Sequence, residues 1–292
     1  METLNKHIFQ INNPKVKAIY DNNDNYNIKF HDGTGVQKNL CIVYFSSNDL
    51  YYPNTPKAFE KSILTKDKYE WQRNFLKNAH KHVFLRDVQK QWYIEGISAK
   101  HNSPETVLAL LKQLTEGFDV YTVGSSAGGF AALLFGSMLQ AKRVYAFNAQ
   151  LNLNLILTNS QEDIDPLLFK YKNHRRSSFY LLEPYLNESV DYFYFQSSKS
   201  DMDIRQYNAL PRKNKLTRIP FYTSNHGFPF LRHNLAYVMG LDRASLIHLS
   251  TKEYHPIVFA ASIDGWPKTI RVVCQTIYNR FIKKINEKRA KS

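Results

Sequence analysis

Two cysteines in 292 residues cannot build a disulfide framework, and Cys41 and Cys274 have no metal-binding spacing. Cys41 falls in an apolar strand-like run and Cys274 in a helical pattern, so both read as reduced core residues. Long apolar runs are also missing: no stretch approaches the ~18 consecutive apolar residues of a membrane span. Met1–His7 lacks the basic-then-apolar pattern of a secretory signal, and the expectation is a cytoplasmic protein. Acidic residues are scarce, with 25 Asp and Glu against 39 Lys and Arg, for a formal charge of +14. That sign favours an anionic partner, although a generally lysine-rich surface gives the same number. No zinc-finger spacing, RNA-binding motif or uninterrupted basic arm singles out nucleic acid. The charge is therefore read as support for an anionic substrate or a phosphate-bearing cofactor. Gly-x-Gly-x-x-Gly and Gly-Lys-Ser/Thr are absent as well, so the chain has no signature of a dinucleotide or nucleotide phosphate cradle.

What is present is enough apolar material, 43% of residues, to fill the core of one large domain spanning residues 1–292. Val16–Tyr20 and Tyr26–Phe30 alternate around an Asn/Asp-rich turn and predict an N-terminal antiparallel hairpin. Leu40–Phe45 is a continuous apolar run of the kind buried on both faces of a parallel sheet. His82–Leu85, Phe118–Thr122, Arg143–Phe147, Val190–Phe195 and Thr217–Tyr222 read as further strands, with a helix over about 103–116. Strands alternating with helices predict a mostly parallel α/β sheet flanked by helices. Residues 150–189 break that rhythm and are a candidate cap insertion. From Pro267 to about Lys288 an amphipathic helix is expected, with Ile270, Val273, Ile277, Phe281 and Ile285 on one face. Its end, Lys283-Lys284 through Lys291, is basic: a solvated helix end or a contact with anionic lipid.

The strand Phe118–Thr122 runs into Val123-Gly124-Ser125-Ser126-Ala127-Gly128-Gly129-Phe130 and then a small-residue run. Gly-x-Ser-x-Gly between strand and helix is a nucleophile elbow, which holds a serine on a strained turn above the sheet. Its glycines let strand and helix backbones approach, and the helix N-terminus faces developing negative charge. The motif alone is weak, since it occurs by chance and a glycine-rich turn can cradle phosphate. Its weight comes from order along the chain: serine, then acid after a late strand, then histidine. Asp203 begins the helix-like Asp-Ile-Arg-Gln after the Val190–Phe195 strand and is the preferred acid, with Asp201 in reserve. Either aspartate could instead be a helix cap. His226 follows a strand and precedes Gly227, where the backbone can turn sharply. In this arrangement His226 takes the Ser126 proton as the hydroxyl attacks an acyl carbonyl, and the acid fixes the imidazole. The oxyanion falls to the N–H of Ala127 and one N–H of the loop after Leu40–Phe45, near Ser47. No metal is called for.

Phe45-Ser46-Ser47, His82–Asp87 with Trp92-Tyr93, Val123–Phe130, Ser200–Gln206 and Asn225–Phe230 occur together in this chain. Over roughly residues 38–235 the set resembles α/β-hydrolase-fold proteins of bacterial capsule biosynthesis, of the capsular polysaccharide O-acetyltransferase type. The resemblance implies acetyl transfer from acetyl-CoA, used as substrate with no permanently bound cofactor, to a hydroxyl of a capsular polysaccharide. It makes Ser126 the acetyl carrier, Asp203 and His226 its partners, and Ala127 an oxyanion donor. The predicted N-terminal hairpin and long C-terminal helix have no counterpart in it. The basic balance fits CoA phosphates and an acidic or phosphodiester-linked acceptor. Lys170, Lys172, Arg175 and Arg176 are candidate CoA contacts, or else a solvated loop. The expected location is the cytoplasm, with peripheral contact to the inner membrane or the capsule assembly machinery.

Two other readings stay open. The same triad would serve a carboxylesterase or polysaccharide deacetylase, because the difference lies in how the site admits water and acceptor. A hydrolase-like scaffold that binds glycan without catalysis is the third, against which an intact serine, histidine and acid weigh.

Overall fold

Alternate side chains of the central apolar run leave the sheet on opposite sides. Leu40, Ile42 and Tyr44 enter one core, and Cys41, Val43 and Phe45 enter the other. A strand buried on both faces needs helices on both, which explains the absence of polar alternation in this run. The computed structural model describes residues 8–289, with side chains from residue 9 to 278. Its strands are β1 Tyr26–Phe30, β2 Gln37–Phe45, β3 Ala79–Leu85, β4 Asp119–Ser125, β5 Arg143–Phe147, β6 Asp191–Ser197 and β7 Thr217–Phe221. They form one sheet in the order β1-β3-β2-β4-β5-β6-β7, parallel except where β1 pairs antiparallel with β3.

The N-terminal hairpin is not formed. Residues Pro14–Asn22 are a helix, α1, capped by the Asn13 side chain and opened by Pro14 at its first position. Val16 is buried with Ile19 and Tyr20 packed alongside, and that i, i+3, i+4 spacing is helical. Tyr26–Phe30 is a strand as expected, but its partner is β3.

Helix α2, Pro104–Thr115, starts with a capping box between Ser103 and Thr106. Helix α3, Ala127–Met138, is buried nearly throughout, as its unbroken apolar sequence requires. Both lie in the core that receives Cys41, Val43 and Phe45. Residues 150–189 carry short helices at Asn154–Asn159 and Pro166–Tyr171. Leu151, Leu153, Leu168, Tyr180 and Leu182 of this segment are buried in that same core. Helix α4 spans Asp201–Asn208, α5 spans Pro256–Asp264 and α6 spans Trp266–Arg289.

Helix α6 forms as expected, and the correction on it concerns Cys274. Ile270 and Ile277 are 55% and 62% exposed, and among the described side chains of this helix Thr269 is the buried one. Cys274 is exposed rather than a core residue. The side chains of Phe281, Ile285 and the basic end fall outside the described residues, as does Met1–His7. Among the described residues, no helix is long and apolar enough to cross a membrane.

Strand order reverses at β2, whose neighbours are β3 on one side and β4 on the other. At such a switch point the loops leaving adjacent strands diverge and open a crevice at their carboxyl ends. Phe45 pairs with Gly124, Ser125 with Phe147, Phe147 with Phe195, and Ser197 with Phe221. The strands thus end in register, and the loops after β2, β4, β5, β6 and β7 converge on one rim.

Candidate active site

Ser126 stands between β4 and α3 with φ 53° and ψ −121°, a left-handed conformation that a serine adopts only under constraint. Its N–H donates to Phe147 O at 2.9 Å and its carbonyl accepts from Phe130 N–H at 3.0 Å, so both sides of the turn are fixed. The elbow leaves no room for side chains: a Cβ on Gly124 would lie 1.9 Å from Gly128 O, and one on Gly128 would lie 2.3 Å from Phe45 O. With seven strands ordered around this elbow and helices on both faces, the chain has the α/β-hydrolase fold.

Ser126 Oγ lies 2.9 Å from His226 Nε2, and His226 Nδ1 lies 2.8 Å from Asp203 Oδ1. A carboxylate only accepts, so Nδ1 carries the proton and Nε2 is left to accept from the serine hydroxyl. Asp203 is fully buried at the start of α4, with its N–H on the capping Ser200 Oγ and its carbonyl accepting from Gln196 Nε2. Asp201, in the same turn, is exposed. The structure therefore brings Ser126, His226 and Asp203 together and leaves Asp201 in solvent.

A buried amide frames the histidine loop. Asn148 Nδ2 is within 3.2 Å of Asn225 O and 3.1 Å of Gly227 O, the carbonyls on either side of His226. Its Oδ1 accepts from Ser197 N–H at 2.7 Å, which ties the same amide to the end of β6.

The two expected oxyanion donors differ in state. Ala127 is the first residue of α3, so its N–H has no acceptor within the helix. The Ser47 N–H is engaged, donating to Glu70 Oε2 at 2.6 Å. Glu70 is set there by its neighbours: Arg86 donates to Asp67 Oδ1 and Lys68 O, and the Trp71 indole N–H donates to Phe45 O. Burial pushes the Glu70 carboxyl above the usual carboxylate range, while the Ser47 N–H opposes that shift.

Ser126, His226, Ser47 and Glu70 line a cleft of about 810 Å³, together with Val272 and Thr276 of α6. Among the described residues, Arg232 is the Lys or Arg side chain in its lining. Lys170, Lys172, Arg175 and Arg176 are not part of that wall. Lys170 pairs with Glu95 at 2.5 Å and lines a separate cleft of about 790 Å³ with Lys17 and Glu162. Lys172 and Arg176 lie over the rings of Phe169 and Tyr171, and Arg175 is exposed. Among the described residues, no group of His, Cys, Asp and Glu is placed to hold a metal ion.

Glu70, Asn148 and Gln150 were not assigned from the sequence. Asn148 directly follows β5 and Gln150 lies two residues further on, and that position beyond a parallel strand's carboxyl end was their one available signal. Glu70 lies in a loop without periodicity and had none.

No protein-family model matches the chain, and no curated protein matches it either. Among solved structures it is similar to the capsule O-acetyltransferase of Neisseria meningitidis serogroup A, at 17% identity over 68% of this chain and 82% of that one, TM-score 0.45. A histidine-to-alanine mutant of that enzyme in complex with CoA gives 16% identity, the same coverages and a TM-score of 0.46. A thermophilic esterase from the Planctomycetes species Thermogutta terrifontis matches at 16% identity over 84% of this chain and 91% of that one, TM-score 0.43. At these identities and scores, the chemistry has to come from the site itself.

Proposed function

We propose that the chain is a serine-nucleophile acyltransferase that moves an acetyl group from acetyl-CoA to a hydroxyl of a bacterial capsule-type polysaccharide. The observation that carries this reading is the hydrogen-bonded line from Ser126 Oγ to His226 Nε2 at 2.9 Å and from Nδ1 to Asp203 at 2.8 Å. His226 removes the Ser126 proton while Oγ bonds to the acetyl carbonyl carbon, and the carbonyl π pair moves onto oxygen. Collapse re-forms the carbonyl, breaks the C–S bond and returns the proton from His226 to the departing thiolate. The acceptor hydroxyl then repeats the sequence on the acetyl-serine: its proton passes to His226, its oxygen takes the acetyl group, and Ser126 recovers the proton. Asp203 stabilises the imidazolium in both halves.

The motif set over residues 38–235 supports transfer and a capsule-type acceptor. Arg232 is the cation that a donor phosphate would meet inside the cleft, in place of the four expected between Lys170 and Arg176. Acetyl-CoA as donor puts the reaction in the cytoplasm. Hydrolysis is the second reading, favoured by the 32% exposure of the His226 side chain, which lets water reach the acyl-serine.

Intact mass after brief incubation with acetyl-CoA tests the proposal. A one-acetyl gain in the wild-type protein that is lost in Ser126→Ala is expected. Undiminished CoA release by Ser126→Ala, with or without glycan, would end the serine mechanism. Cleavage of simple acetyl esters with no use of acetyl-CoA would give the case to the hydrolase.

A further inference from the structure

The donor expected at Ser47 is occupied, while a second polar group already touches the nucleophile. Gln150 Nε2 lies 3.2 Å from Ser126 Oγ, on a side chain that belongs to a residue only 5% exposed. Its orientation is fixed by chemistry. The Trp92 indole N–H, which can only donate, is 3.1 Å from Gln150 Oε1. The oxygen end of the amide is held by Trp92 and lies 3.5 Å from Ser126 Oγ, and the NH₂ end, at 3.2 Å, is the nearer of the two to the serine.

Trp92 is itself held in an unusual backbone. Lys90, Trp92 and Tyr93 all have positive φ, at 56°, 53° and 60°. The buried Asp87 carboxylate keeps them there by accepting from the N–H groups of Gln89, Lys90, Gln91 and Tyr93. Strain of this kind persists only where the surroundings over-determine it, and here it aims one indole N–H at one amide. Behind Gln150 the chain is clamped too, since Leu151 N–H and Asn152 N–H both donate to Gln206 Oε1, at 2.8 and 2.9 Å.

We propose that Gln150 is a further catalytic residue, donating its amide N–H to the oxygen that gains negative charge when Ser126 attacks, and that Trp92 is its positioning residue. The inference rests on the serine-nucleophile reading above. Gln150 thus complements the Ala127 N–H in the role first assigned to Ser47. A donor fixed in advance and shielded from water needs no reorganisation as charge develops, and loss of one such donor lowers turnover by about 10²–10³-fold.

Phosphonylation by a small fluorophosphonate, followed by intact mass, reads this step directly. The Ser126 Oγ–P bond forms, the P–F bond breaks, fluoride leaves, and the serine proton passes to His226. Wild-type protein should be labelled at Ser126. Gln150→Met should be labelled on the order of 10²-fold more slowly with an unshifted reagent half-saturation. Gln150→Glu keeps the acceptor for Trp92 and removes the donor, and should be slower still. Trp92→Phe should slow labelling by about tenfold in the wild type and by much less in Gln150→Met, because it acts through the amide. Labelling of both Gln150 variants at the wild-type rate overturns the proposal and leaves the nucleophile in place. Glu70→Ala that labels faster, with Gln150→Met unchanged, also overturns it and restores Ser47 as the donor. No labelling of Ser126 in the wild type removes the serine mechanism and this proposal together.

Discussion

His226 works inside a frame of side-chain amides. Asn148 holds the carbonyls on both sides of it, and Gln196 holds the carbonyl of Asp203. Amides suit this role because they donate and accept at fixed angles without adding charge beside the imidazole. Asp203→Ala should therefore lower turnover on the order of 10⁴-fold, as loss of a tautomer-fixing acid does, whereas Asp201→Ala should stay within a few-fold. Equal mild losses in steady-state assays would mean that neither aspartate is the acid. A second residue-scale effect concerns stability. His82 is fully buried and burial holds its imidazole down to about 4, against 6.5 for a free histidine. The unfolded chain takes up a proton below pH 6.5 that the folded chain refuses until about pH 4. Stability present above pH 6.5 is thus lost as pH falls toward 4, by at most about 1.4 kcal/mol per unit from this group. Denaturant melts of His82→Gln should show a shallower fall over that window, and an unchanged slope would assign the effect to other groups. At this scale the sequence was legible where order along the chain constrained it, at Ser126, His226 and the aspartate pair. Glu70 and the Trp92–Gln150 contact were not, because contacts between loops of different strands leave no periodic trace.

The elbow is an element-scale device whose tolerance is measurable. Gly128→Ala puts a methyl 2.3 Å from Phe45 O, backbone that cannot swing aside, so a loss of about 3 kcal/mol or more is expected in thermal or denaturant melts. Gly240→Ala meets nothing within 4 Å at the end of the helix Leu235–Gly240, and should be neutral or slightly stabilising. Similar losses for both would show that backbone entropy, and not the contact with β2, decides the Gly128 position. Most strands and α2 were readable from apolar runs and caps. Helix α1 was not, since Val16-Lys17-Ala18-Ile19-Tyr20 satisfies a two-residue and a 3.6-residue period about equally, and the choice was made by packing of Val16, Ile19 and Tyr20. In α6 the amphipathic pattern gave the helix correctly, and the apolar stripe through Ile270 and Ile277 faces solvent. Ile277→Asn should accordingly move the melting temperature little, within about 0.5 kcal/mol of wild-type stability. A large loss would mean that the stripe is covered in solution.

Over the whole molecule, the alternation of strands and helices was sufficient for the α/β class, while strand order came only from the three-dimensional pairing. That order places Ser126 and His226 on opposite sides of β5, in loops 100 residues apart along the chain. The span has a consequence for how the protein is made. A ribosome delivers Ser126 well before β6 and β7 exist, so the emerging chain displays this serine without Asp203 or His226. On the mechanism proposed above, that serine is an ordinary alcohol until the second half of the sheet docks, so a nascent or prematurely ended chain would neither acylate itself nor consume thioester. Arrested chains ending at residue 189 should take no fluorophosphonate, and competence should appear only once residues beyond His226 have cleared the exit tunnel.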